Sequence, residues 1–223
     1  MSMFSNKKAK YERLHSGLPD TVSANTYNLI LGGCVLYGLI MNLLLVLTCG
    51  EFVMALNPTV VIIGYFISVI LGAFISRSTS PVVSFIGYNF IAIPIGLLLS
   101  ASLPLYALDT IIVSFGATAA IVTIMIALST AFPQFFLSLG RTLGITLLAT
   151  IVVELVAILL GFSVGWIDFI VVGIFTLYVG FDWSRAQAYP KTIDNAVDSA
   201  IDIYMDVINI FLRILSILSR SDD

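Results

Sequence analysis

The sequence predicts an all-α membrane protein, a bundle of seven transmembrane helices whose polar-striped last helix packs in the interior. Three observations lead there. Of the 223 residues, 59% are hydrophobic and 10% charged, where an ordinary soluble domain carries about 25% charged residues; the mean hydropathy is +1.08. The apolar residues fall into seven runs of about 20, the length a helix needs to cross the hydrocarbon layer. The last run carries its polar residues at steps of three and four, the spacing of one helix face.

Taken in order, residues 1–26 form a polar tail, expected in the cytoplasm. The tail lacks the apolar stretch of a cleavable signal, so the first span is expected to act as its own signal and stay. Span one (27–49) holds Gly32, Gly33 and Gly38, small residues that would let helices approach closely. It also holds Cys34 and Cys49, about four turns apart on one helix and too distant to bond to each other. Span two (58–76) stops at Arg77 and is followed by an apolar third (82–101). Span four (107–130) opens near Asp109 and contains Gly116, Ala117, Ala119 and Ala120, a second candidate close-packing surface. Span five (142–161) follows Arg141 and has Glu154 midway. Span six (166–181) runs from near Asp168 to Asp182, and span seven (198–218) leads into the tail 219–223. The transmembrane domain, 27–218, uses nearly all of the chain, leaving no room for a separate soluble domain.

If the spans alternate, Lys7, Lys8, Lys10, Arg13, Arg77, Arg141, Arg185 and Lys191 share one side, with Arg220 on the other and Arg213 inside span seven. Positive charge marks the cytoplasmic side. The expectation is a multi-pass integral membrane protein with its N-terminus cytoplasmic and its C-terminus outside, and the compact tails favour a bacterial plasma membrane. Its surroundings are membrane lipid. A net charge of −3 and the absence of a basic patch argue against nucleic acid.

Each ionisable residue inside a span requires an account, because Asp or Arg at the bilayer centre costs about 2.5–3.5 kcal/mol on insertion scales. Glu154 is the most deeply placed acid, read either as a tie between helices or as part of an ion path. Asp109 and Asp168 lie near span ends and read as solvated termini. Arg77 either snorkels to the interface or turns inward to pair with a carboxylate. Asp182 ends span six, where an acid meets the unfavourable end of the helix dipole, so another group should hold it there.

In the last span, Asp198, Asp202, Asp206, Asn209, Arg213, Ser216 and Arg220 follow steps of 4, 4, 3, 4, 3 and 4. A helix lying flat on the membrane would favour Lys and Arg on its polar face; the acids here favour a spanning helix with its stripe turned into the bundle. Asp194 and Asp198 read as capping charges at the helix start. Asp206 lies deeper and needs a partner. Glu154, Asp202, Asn209 and Arg213 are the candidates for lining a pore or ion pathway.

The stretch LYVGFDWSRAQ at 177–187, followed by AIDIYMDVINIFLRILSIL at 200–218, resembles the signature of the transmembrane Bax inhibitor motif (Bax inhibitor-1-like) family. There an acid at the end of span six is paired with an acid in the final helix; in this chain those positions are Asp182 and Asp206. Phe181 stands where the family has tyrosine, and Gln187 comes five residues after the acid. The resemblance extends to the seven-span layout and to Arg77. It implies a channel-like protein that leaks Ca²⁺ down its gradient under pH control, with Asp182, Asp206 and Arg77 as sensor and gate and no cofactor beyond Ca²⁺ in transit or transiently bound by Asp182 and Asp206. The physical basis is general: two carboxyls within reach of each other do not easily both ionise, so the pair shares a proton and titrates as a unit. With that proton the two helices are latched; without it, repulsion opens the latch and exposes oxygen ligands suited to a hard cation.

Three other readings compete. An intramembrane protease would need a serine and base or a di-aspartyl centre. The single histidine, His15, is in the tail, and Phe181 and Met205 precede the two acids where a GxGD context would place glycine, so no enzymatic activity is expected. A proton-coupled transporter would relay protons through Glu154 and the aspartates. A non-transporting adaptor would act on membrane-protein partners.

Overall fold

The computed structural model describes residues 21–162 and 165–221; Lys7, Lys8, Lys10, Arg13 and His15 lie outside them. The described residues form seven α-helices: α1 (Ala24–Met54), α2 (Pro58–Ile75), α3 (Pro81–Ser102), α4 (Leu108–Ala131), α5 (Pro133–Leu159), α6 (Ile167–Ala188) and α7 (Ile193–Ser221), with one 3₁₀ turn at Leu103–Leu105. The first six are long and apolar enough to cross a membrane. The seventh is long enough at 29 residues, about 43 Å at 1.5 Å per residue, but its charges set it apart from the apolar six.

Local chemistry accounts for the ends. The Ser23 hydroxyl accepts the Thr26 N–H at 3.1 Å and caps α1, and Asn57 caps α2 by accepting from Thr59 N at 2.9 Å. Pro58, Pro81 and Pro133 each open a helix, where the missing N–H is not needed. At the end of α5, Gly161 has φ +76°, with Phe162 N bonded to Ala157 O and Gly161 N to Ile158 O. This paired closure requires a left-handed residue, the conformation glycine adopts without strain.

Hydropathy locates the spans but not the helix lengths. The fifth helix starts at Pro133 rather than 142, so Arg141 lies two turns inside α5 instead of in a loop. The sixth continues to Ala188, placing Asp182 inside the helix. The seventh begins at Ile193, and its cap is the Thr192 hydroxyl, which accepts from Asn195 N at 3.2 Å. The expected caps have other positions: Asp194 accepts from the Ser84 hydroxyl of α3 at 2.8 Å, and Asp198 is buried.

Helix α7 occupies the centre, packed against α1, α3, α4 and α6, while α5 packs mainly on α6 and α2 mainly on α3. Apolar side chains dominate the outer surface, as Leu29, Leu47, Phe66 and Leu148 illustrate; in a bilayer that surface meets lipid tails. Lipid is as apolar as leucine, so association between helices depends on close packing and polar contacts. Gly38 supplies one: a Cβ there would stand 2.0 Å from the Tyr88 hydroxyl and 2.9 Å from the Tyr204 ring. Phe181 of α6 packs over Gly140 of α5, and Phe136 of α5 packs over Gly180 of α6, a reciprocal fit. By contrast Gly32, Gly33 and Gly116, expected at close crossings, face open space.

Proline inside α3 is repaired from outside the helix. Pro94 has no N–H for the carbonyl of Phe90; the Ser68 hydroxyl of α2 donates to that carbonyl at 2.7 Å.

The helices alternate in direction. The start of α1 meets the α6–α7 turn, with Val22 N donating to Lys191 O at 2.7 Å. The start of α3 meets the start of α7 through Ser84 and Asp194. The start of α6 meets the end of α7, where Arg220 donates to Gly165 O at 3.0 Å.

Candidate functional site

The polar stripe of α7 faces inward and separates into two clusters. The first lies in the half of α7 nearer its start. Asp206, 4% exposed, meets Asp182, 5% exposed, across the α6–α7 contact, and the two carboxyls are in hydrogen-bonding contact. Asp206 Oδ2 is buried with no hydrogen-bond partner among the described residues. One guanidinium serves this group: Arg185 Nη2 lies 2.7 Å from Asp182 Oδ1 and 2.6 Å from Asp202 Oδ2. The Asp182 contact is an ion pair by distance, while its direction lies outside hydrogen-bond geometry. Arg185 also sits over the Phe181 ring at 5.0 Å. Two of these residues follow from helix spacing, since Asp182 and Arg185 are at i and i+3 on α6.

The cation facing the pair is therefore Arg185 and not Arg77. Arg77 follows α2 with its guanidinium 5.1 Å above Phe74. It lines a cavity of about 280 Å³ together with Asp198, Asp202 and Met205, beside the carboxyl pair rather than in contact with it.

The second cluster lies toward the other end of α7. Arg213 donates to Glu154 Oε1 and Oε2 at 2.8 and 3.1 Å and to Asp168 Oδ1 at 2.5 Å. Asp168 also accepts from the Ser216 hydroxyl at 3.0 Å and from Arg220. Asp168 is 4% exposed and so is no solvated terminus; Asp109, in the first turn of α4, is exposed as expected. Glu154 and Arg213 thus meet each other, whereas Asp202 belongs with Arg185. Asn209 turns back on its own helix, donating to Met205 O at 2.8 Å.

A third group joins α1 to the turn between α6 and α7. The buried Tyr27 hydroxyl donates to Ala186 O at 3.0 Å and lies 3.3 Å from the Ser199 hydroxyl. The Lys191 ammonium donates to Ala186 O, Gln187 O and Gln187 Oε1 at 3.2, 2.8 and 3.1 Å and rests 4.4 Å above the Tyr27 ring. Gln187 in turn donates to Asn28 at 2.9 Å. Neither Tyr27 nor Lys191 stood out as a site residue in the sequence; a lysine just past a helix end, where carbonyls lack partners, is the available signal.

Six apolar helices around a seventh with buried acids define a polytopic membrane protein with an intramembrane carboxyl pair. A family model described as inhibitor of apoptosis-promoting Bax1 matches residues 20–223, and the chain belongs to that family. No curated protein matches the chain.

Proposed function

We propose that the protein is a pH-sensitive calcium leak channel, closed when Asp182 and Asp206 share a proton and opened when that proton is lost. The observation that supports this reading is the contact of two buried carboxyls from adjacent helices beside one guanidinium. Three acids, Asp182, Asp202 and Asp206, meet one cation, Arg185. Full ionisation would leave excess negative charge in a dehydrated space, and a shared proton relieves it. Loss of the proton drives α6 and α7 apart at the pair and presents carboxylate oxygens to a hard cation.

Among the described residues no group of three or more His, Cys, Asp or Glu side chains is arranged to hold a metal ion. In this reading Asp182 and Asp206 meet Ca²⁺ in passage, without a resident cofactor and without catalysis. Arg185 takes the counter-ion role that the sequence assigned to Arg77, and Arg77 with Asp198 and Asp202 lines the entrance. On the positive-inside reading of the sequence, that entrance opens on the cytoplasmic face and the C-terminus is outside.

The test is Ca²⁺ influx into vesicles holding the purified protein between pH 5 and 8, beside an Asp206→Asn variant. Flux that rises with pH in the parent and loses this dependence in the variant supports the gate. Concentrative uptake driven by a proton gradient would identify a proton-coupled transporter, which the Glu154–Arg213–Asp168 network could serve. No flux at any pH would favour an adaptor.

A further inference from the structure

Helix α2 approaches α3 more closely at one end than at the other. Toward the end of α2 the two helices nearly touch: a Cβ at Gly72 would stand 2.7 Å from the Gly87 carbonyl oxygen, and one at Gly87 would stand 2.5 Å from Ser76 N. One turn nearer the start of α2, the Ser68 hydroxyl still reaches the Phe90 carbonyl at 2.7 Å. A further turn on, a Cβ at Gly64 would meet nothing within 4 Å, and a groove of about 600 Å³ opens between the helices. Phe52, Val53 and Leu56 line it where α1 turns into α2.

The groove is apolar, open to the membrane and about one leaflet long. Among the described residues that line it none is charged. Two of its polar side chains are already engaged: Ser68 donates to Phe90 O, and Asn89 donates to Phe85 O at 2.8 Å while accepting from the Tyr37 hydroxyl at 2.5 Å. Tyr65 packs against the buried apolar cluster that holds Tyr88 and Tyr204. Val60, Ile86, Phe90 and Ile93 belong both to the groove wall and to the exposed outer surface, so the groove is continuous with the face that meets lipid tails. Along α3 it runs from Ile86 to Leu97, roughly 16 Å at 1.5 Å per residue. That is near half of a hydrocarbon layer of about 30 Å, the depth one lipid chain fills.

We propose that this groove is a binding site for one acyl chain of a membrane phospholipid, lying along α2 and α3. Its volume falls within the range of about 300–1,000 Å³ usual for small-ligand pockets. Water finds too few hydrogen-bond partners to occupy an apolar groove at membrane depth, and an empty groove forfeits the dispersion contacts of its lining. An acyl chain supplies those contacts, and its long axis runs with the helices. The first half of α2 then rests on lipid where α3 draws away, consistent with Gly72, in the second half, being the one buried residue of that helix. The site is independent of the carboxyl pair and of the leak reading.

The test is native mass spectrometry of the full chain purified in a mild detergent, comparing the parent with Gly64→Phe and Gly32→Phe. Gly64→Phe puts a ring into the groove. Gly32→Phe adds the same ring on α1, where a Cβ likewise meets nothing within 4 Å but no groove wall is touched. The parent should retain one phospholipid per chain, Gly64→Phe should lower the retained fraction at least fivefold, and Gly32→Phe should leave it at the parental level. Parental retention in Gly64→Phe, equal loss in both variants, or a parent that carries no phospholipid would overturn the proposal. So would a retained species without acyl chains. If Gly64→Phe does not fold, Val61→Trp, three residues nearer Pro58 on the same wall, is judged by the same criterion.

Discussion

Arg185 and Asp202 are seventeen residues apart in the chain and 2.6 Å apart in space, and the same guanidinium nitrogen stands 2.7 Å from Asp182. One cation on α6 thus holds an acid of its own helix and one of α7, immediately beside Asp206. Removing it leaves the acids without compensation. Arg185→Gln should hold the shared proton to higher pH, moving the flux midpoint upward, whereas Arg77→Gln should alter flux amplitude more than midpoint. A pH titration of Ca²⁺ influx for the two variants checks this; an unmoved midpoint in Arg185→Gln would detach Arg185 from the switch.

The second cluster predicts a contrast in stability. Asp168 is buried and faces two arginines, so Asp168→Asn should cost on the order of 3 kcal/mol, the scale for breaking a buried ion pair from one side. Arg220→Gln touches the same carboxylate, but the Arg220 side chain is 45% exposed. Screening should keep its cost under about 1 kcal/mol. Thermal unfolding in detergent measures both; equal losses would count against the network as drawn.

Gly38 and Gly33 offer a packing comparison on one helix. Ala at 38 collides with the Tyr88 hydroxyl and Tyr204 ring and should destabilise by about 1–3 kcal/mol, the usual range for overpacking. Ala at 33 meets nothing and should be neutral or better, since glycine costs about 0.8–1.0 kcal/mol relative to alanine in a helix. The same unfolding assay separates them.

Burial holds the Lys191 ammonium below the ordinary lysine range. The unfolded chain therefore keeps its proton to higher pH than the folded one, and folding gains as pH rises through the lowered value toward the ordinary one near about 10.4. Between pH 7 and 10 the parent's melting temperature should rise relative to that of Lys191→Gln. Parallel curves would show that the ammonium is well compensated by Ala186, Gln187 and the Tyr27 ring.

The sequence carried the bundle and the central place of α7 because both follow from local rules: apolar run length, and polar residues at helical spacing from Asp198 to Arg220. The meeting of Asp182 and Asp206 was legible through family resemblance together with alternation of spans. Arg185 stands at i+3 from Asp182, yet hydropathy ends the sixth span at 181 and leaves it among the loop charges, whereas the helix continues to Ala188. Glu154 and Arg213 were each conspicuous, but their pairing spans fifty-nine residues and depends on how α5, α6 and α7 rotate about their axes. No local pattern reports that rotation. The burial of Asp168 escapes the sequence for the same reason: nearness to a helix end does not reveal which neighbouring helix covers it.

The Ser68 hydroxyl on the carbonyl of Phe90 has a further consequence. That carbonyl is left open by Pro94, so the interrupted ladder of α3 is completed by a rung from α2. A rung shared between two helices sets their register. Sliding α2 along α3 by one residue would move the hydroxyl about 1.5 Å along the axis and rotate it away from the gap, reopening it in a medium without water to fill it. Although α2 has α3 as its main neighbour, a single serine facing a single proline indexes it to the bundle.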